Sequence, residues 1–347
     1  MTKFNTMKKG SALQFIFLPC LALFASCSHN PLNIDVSAIK TPPVKIDRLE
    51  RDMFSMPPDS IAACTPALEQ KYGPFYARLV MGFINDGGLR DSGYATGLKH
   101  FITDKDMRNA YRDCEKDYPE LSFLENGFDD AFKHYKYYFP DSALPRVITI
   151  MSGFNYSLVY YRHNLGISLE MYLGQGSLFY QMLAFPMFRT AYMSRSYMLT
   201  DAVYGWLKSI YVPNEDKNDF LSRIIHEGKL MYLEDALLPA AADTLKIKYT
   251  ARQLQYCLAN EYNIWAYIIG QKVLYSTDDI LIQKFTGDGP FTPMFNHDYC
   301  PARTGNWIGW RIVRSYMKNN AGVTIPQLMA EKSADRILAL SGYKPSK

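Results

Sequence analysis

Residues 220–235, FLSRIIHEGKLMYLED, place apolar side chains on two sides of a helix turning about 100° per residue. Phe220, Leu221, Ile224, Ile225, Met231 and Tyr232 form one stripe, and His226, Leu230, Leu233 and Leu237 form a second, opposite one. A helix apolar on both sides is buried, so this segment predicts the central helix of the fold, with Gly228 admitting a close neighbour. Spacings of three and four predict further helices over 59–72, 75–84, 104–118 (started by Thr103 and Asp106), 124–138, 199–211, 308–317 and 325–340. Pro186 breaks 180–193, and a Thr250-x-x-Gln253 capping box opens a helix running to about Gly270. The period changes at 146–151, 156–161 and 167–172, short runs rich in Val, Ile, Leu and Tyr that read as a small sheet. Residues 44–49 predict an edge strand continued by 48–54, and the glycine- and aromatic-rich 288–310 reads as loop. The pattern predicts an α+β, mostly helical chain in which a small sheet precedes the buried helix.

The N-terminus follows a different logic. Lys3, Lys8 and Lys9 precede an apolar run from Leu13 to Phe24, and Ala25-Ser26-Cys27 ends it. That is the layout of a lipoprotein signal: residues 1–26 are removed and Cys27 becomes the acylated first residue. The run is too short for a permanent membrane span. Residues 27–43, with Pro42-Pro43, read as a tether, and 44–347 as one globular domain, helical over 44–140 and carrying the sheet and the His226 helix over 141–347. Without the signal, 35 basic face 34 acidic side chains, and no basic block is present, which excludes nucleic acid as a partner. No acidic run follows Cys27, so the expected location is the outer membrane, facing the periplasm. Cys64, Cys114, Cys257 and Cys300 are left either as buried thiols or in any of three disulfide pairings.

Candidate chemistry centres on His226-Glu227. In an HExxH helix two histidines one turn apart grip zinc and the Glu polarises its water. Here the second histidine is replaced by Leu230, so no metal is expected, and zinc is the alternative. Glu261 falls on the apolar stripe of Leu254, Leu258, Trp265 and Ile268, where a carboxylate needs a cation or a cluster of donors. Lys229 and Glu261 are therefore expected to meet near His226 as a buried ion pair; the competing picture sends Lys229 to solvent and satisfies Glu261 from Arg303 or backbone amides. Glu170, Arg303 and Trp307 are candidate cleft-lining residues.

Eight segments carry a family resemblance: RLERDMF (48–54), SGFNYS (152–157), GISLEMYLG (166–174), HEGKLMY (226–232), NEYNIW (260–265), LYSTD (274–278), DGPFT (288–292) and GNWIGW (305–310). Together with the lipobox they resemble the gliding-motility-associated lipoprotein GldB family of Bacteroidota over essentially the whole mature chain. The resemblance implies a cell-envelope role linked to gliding and its secretion machinery, with an envelope protein as partner and a membrane held through Cys27. A more distant resemblance to zincin-type predicted proteases implies a zincin-like domain, with His226, Glu227 and Glu261 in the ligand and base positions and Leu230 departing from the pattern. Two functions follow: a non-catalytic binding or scaffolding lipoprotein, or a membrane-anchored zinc metallopeptidase with an atypical ligand set.

Cys27→Ala is expected to leave the protein unprocessed or to release it from the membrane fraction. A variant that matures and stays membrane-bound like the parent, followed by fractionation and immunoblotting, contradicts the lipobox reading.

Overall fold

A computed structural model describes residues 1–2, 30–84, 88–213, 217–295 and 299–347. Cys27 and the signal segment lie outside the described residues. Leu32–Lys347 form one compact unit, grouped apart from Met1–Pro31. The segment before the first strand is irregular, with Val36 buried.

The chain opens with β1 (Asp47–Arg48) and turns at once into α1 (Leu49–Phe54). Residues 48–54 thus do not continue the strand, because Leu49, Met53 and Phe54 repeat at helical spacing and all three are buried. Five helices follow: α2 (Ile61–Tyr72), α3 (Pro74–Ile84), α4 (Tyr94–Thr103), α5 (Lys105–Asp117) and α6 (Ser122–Tyr138). The cap of α5 is Asp104, not Thr103; its carboxylate accepts from the Asp106 and Met107 amides.

The sheet comprises β1, β2 (Arg146–Ile150), β3 (Leu158–Tyr161) and β4 (Asn164–Ser168) in the order β1-β2-β4-β3. β1 and β2, and β2 and β4, run parallel, whereas β3 and β4 form an antiparallel hairpin. Arg162 and His163 make its turn with φ of 45° and 60°, the double left-handed geometry that matches strand twist. The last strand therefore starts at Asn164, and Leu169–Tyr172, expected as strand, is a 3-10 turn.

The remainder is helical: α7 (Leu178–Met182), α8 (Met187–Thr190), α9 (Met198–Ile210), α10 (Phe220–Leu237), α11 (Asp243–Ile247), α12 (Ala251–Ala259), α13 (Glu261–Gly270), α14 (Asp279–Thr286), α15 (Thr304–Asn319), α16 (Ile325–Ala330) and α17 (Ala334–Ser341). The class is α+β and mostly helical. Three expectations change. The helix expected over 249–270 breaks at Asn260, whose side-chain amide donates to the Tyr256 carbonyl at 2.9 Å and competes with the helical ladder. Residues 325–340 form two helices, because Ser333 caps a fresh start by accepting from the Arg336 amide. GNWIGW, expected as loop in its first three residues, lies wholly within α15, which starts at Thr304.

Asp219 caps α10, and the helix is buried along most of its length, as its two stripes predict. Its principal neighbour is α15. The two backbones touch where Gly228 meets Gly309. A methyl group on Gly228 would stand 2.3 Å from the Gly309 carbonyl oxygen, and one on Gly309 would stand 1.8 Å from that of Ile224. Both obstacles are backbone, so no side-chain rotation relieves them.

Gly309→Ala is expected to destabilise by about 3 kcal/mol or more, because the helices must separate. Gly270→Ala, where nothing lies within 4 Å of the new methyl, should hold or slightly raise the melting temperature. Thermal melts followed by circular dichroism check both; an unchanged midpoint for Gly309→Ala contradicts the crossing.

Candidate functional site

Ordinary helical geometry distributes the side chains of α10 about the Gly228 contact. Turning about 100° per residue, Asp235 falls on the α15 side with Gly228, Glu227 projects to one flank, and His226 and Lys229 project to the other. Each flank opens on a cavity of its own.

The Glu227 flank lines a polar cavity of about 390 Å³ between α9, α10, the Lys248–Tyr249 turn after α11, the end of α14 and the N-terminus of α15. Glu227 accepts from the Tyr204 hydroxyl and from Lys208 Nζ at 2.9 Å. Burial, reinforced by the Glu227 carboxylate, pushes the Tyr204 phenol well up, so it stays a donor. Deeper in, Asp201 meets Lys248 Nζ at 2.8 Å and accepts from the Tyr172 hydroxyl at 3.2 Å. Burial raises the Asp201 carboxyl above its ordinary range, and Lys248 opposes the shift. Lys248 and Arg303 both hold left-handed backbone, φ 58° and 59°, a conformation uncommon for non-glycine residues. Arg303 Nη2 donates to the Ile247 carbonyl at 2.6 Å, tying the Lys248 turn to the start of α15. The Asn306 Oδ1 acceptor in the same wall is buried with no partner among the described residues.

On the α15 side of α10 sits a cluster of charges that the sequence reading missed. Asp235 accepts from Lys246 at 3.0 Å, from Trp310 Nε1 at 2.9 Å and from both Arg314 Nε and Nη2; Arg314 also grips Asp243. The guanidinium lies over the Trp310 ring at 3.7 Å. The available signal was Asp235 at a seven-residue spacing from Gly228, which puts a carboxylate on the most crowded face. Beside it, Glu234 is fully buried without a hydrogen-bond partner among the described residues, and burial raises its carboxyl far above the usual range.

His226 and Lys229 line a second cavity, of about 610 Å³, with Tyr211, Ile225 and Met329. His226 Nε2 is buried and unpartnered among the described residues, and burial lowers its pKa. Lys229 Nζ donates to the Met329 and Glu331 carbonyls at 3.0 and 2.8 Å, and burial brings its pKa down to about 8. The expected Lys229–Glu261 pair is absent. Glu261 is instead the first residue of α13, where it accepts from Arg311 Nε and the Tyr343 hydroxyl, both at 2.8 Å. The break at Asn260 moved it off the apolar stripe. Arg303, offered as its alternative donor, serves the first cavity. Lys229 does not reach solvent as in the competing picture either; it is buried.

Zinc does not fit these residues. His226 and Glu227 face different cavities, Leu230 is buried, and Glu261 is held elsewhere. Among the described residues no group of three or more His, Cys, Asp or Glu side chains is placed to hold a metal ion. Of the remaining candidates, Arg303 lines the first cavity, whereas Trp307 is buried in the core and lines neither of these two cavities. Glu170 is also fully buried: its Oε1 accepts from the Ser152 amide at 2.6 Å, the Ser152 hydroxyl at 2.8 Å and the Phe154 amide at 3.2 Å. It pins the turn after β2 and lines neither of these two cavities. Cys64, Cys114, Cys257 and Cys300 are free thiols.

These features define a mostly helical α+β protein organised on one helix crossing, with an ionic cavity beside it and no metal-donor cluster among its described residues. Residues 29–345 match the lipoprotein family described as Gliding motility protein GldB. The chain belongs to that family, and is a gliding-motility-associated lipoprotein of the cell envelope. No curated protein and no solved structure matches it. Among the described residues no helix is long and apolar enough to cross a membrane.

Burial raises the Glu170 carboxyl from 4.5 to about 7, an effect the Ser152 amide only partly opposes. The folded chain therefore keeps a proton that the unfolded chain has released. The resulting contribution to stability, about 3 kcal/mol, is fully present below about pH 4.5 and is lost as the pH rises through about 7. Glu170→Gln should flatten this slope: the difference in melting temperature between variant and parent, measured from pH 4.5 to 8, should grow in the variant's favour. A difference that does not change with pH contradicts the assignment.

Proposed function

We propose that this GldB-family lipoprotein works without catalysis, as a binding or scaffolding component of the envelope machinery linked to gliding motility and secretion. Lipid on Cys27 holds it at the outer membrane, facing the periplasm, and it engages another envelope protein. The observation that carries this reading is the separation of His226 from Glu227. A general base must face the proton it takes, within about 3 Å or through one water. Glu227 instead accepts from Tyr204 and Lys208 in one cavity, while His226 stands in another. The Asp201–Lys248 pair and Arg303, which line the same cavity, support recognition of a polar surface.

The alternative, a zinc metallopeptidase with an atypical ligand set, makes opposite predictions on two measurements. Purified protein is expected to carry far less than one zinc per chain by elemental analysis, and Glu227→Gln is expected to complement a deletion strain as the parent does. Loss of a general base costs about 10²- to 10⁴-fold in rate. Stoichiometric zinc together with failure of a folded Glu227→Gln protein to complement overturns the non-catalytic reading.

A further inference from the structure

Between Glu170 and Asp201 the chain contains no acidic residue, and its only charges are Arg189 and Arg195. Residues 174–193 of this stretch form an excursion between the 3-10 turn that follows β4 and the approach to α9. An antiparallel bridge between Leu173 and Ser194 closes the base of the excursion, and the Gly174 amide donates to the Met193 carbonyl at 2.8 Å. Inside, the buried Tyr180 hydroxyl donates to the Glu170 carbonyl at 2.8 Å and accepts from the Leu173 amide at 2.9 Å, while Phe185 packs edge-on against the Tyr180 ring. The lobe is therefore held in place. Its outer side nevertheless presents Leu178, Met182, Leu183 and Met187 at 69%, 66%, 51% and 78% exposure.

A run of large apolar side chains on an ordered lobe is not the scatter of single exposed residues that any surface shows. Two features say what covers it. The one charge within the lobe is positive, the Arg189 guanidinium lying over Phe185 at 5.7 Å, and just past its closing bridge that of Arg195 lies over Phe123 at 3.9 Å; both arginines are exposed. Exposed apolar residues with exposed arginines nearby in the chain and no acidic residue between Glu170 and Asp201 fit the boundary between acyl chains and anionic headgroups. The second feature is covalent. Only four residues separate Cys27 from Leu32, where the compact unit begins, so lipid on Cys27 would tether this unit to a bilayer by a short length of chain.

We infer that the 174–193 lobe is a second membrane contact, inserting Leu178, Met182, Leu183 and Met187 among the acyl chains of an anionic lipid surface and placing Arg189 and Arg195 against its headgroups. It goes beyond the proposed function and rests only on the protein being a lipoprotein. Phe188, Arg189, Tyr192 and Met193 also line the Glu227 cavity, so the contact would hold that cavity close to the membrane surface.

The test uses the chain from Ser28 onward, which lacks the lipid but keeps the whole compact unit. It is mixed with vesicles of phosphatidylethanolamine and phosphatidylglycerol and separated by flotation. The parent is expected to float with the vesicles, less so at high salt, and Leu183→Asp with Met187→Asp to weaken binding about tenfold or more, since charged side chains are costly among acyl chains. Leu258→Asp, at an exposed leucine on α12, should bind like the parent. As a second measurement, Leu183→Trp should add a fluorescence component that shifts to the blue on addition of vesicles. Failure of the parent to float, or binding that the double substitution leaves unchanged, overturns the inference. Equal binding to neutral phosphatidylcholine vesicles overturns the headgroup assignment. Self-association without flotation, abolished by the double substitution, would make the lobe an interface between copies and also overturn it.

Discussion

The contact of α10 with α15 at Gly228 and Gly309 is the constraint on which the other placements depend. Two helix backbones meet there with no side chain between them, and the space for a methyl group is already filled by carbonyl oxygens. Once that face of α10 is committed, its helical period assigns every other direction. Asp235 must point toward α15, Glu227 to one flank, and His226 with Lys229 to the other.

The crossing explains the ionic character of the interior. A carboxylate carried to the crowded face of a buried helix is costly unless cations and donors surround it, and removal of one partner of such a pair typically costs about 3 to 5 kcal/mol. Asp235 has Arg314, Lys246 and the Trp310 indole around it, two of them supplied by the same helix α15 that created the crowding. The cluster thus locks the far end of the crossing in register. The same logic separates the two residues that resemble half of a zinc motif. Being adjacent in sequence places them about 100° apart, and in HExxH the metal is gripped by histidines four residues apart. With Leu230 in the second position nothing draws His226 and the downstream carboxylate together, and Glu261 is free to serve Arg311 and Tyr343.

The sequence by itself determined the class, the burial of the 220–237 helix, the close neighbour at Gly228, the small sheet and the family. These are properties of periodicity, composition and local motif, and they survive any rearrangement of distant parts. It also located Glu227 and Arg303, which do share a cavity, although without saying that Tyr204, Asp201 and Lys248 would join them. The partner of each charge was set by the packing of distant segments. Glu261 and Lys229 were both recognised as needing one, yet Glu261 found Arg311, 50 residues away in sequence, and Lys229 two backbone carbonyls about 100 residues away. The helix break at Asn260 and the helical start of GNWIGW were equally hidden, because each trades a local preference against packing. An unpaired buried charge states only that a partner must exist; which one depends on how two helices cross, and that is set by contacts remote in sequence.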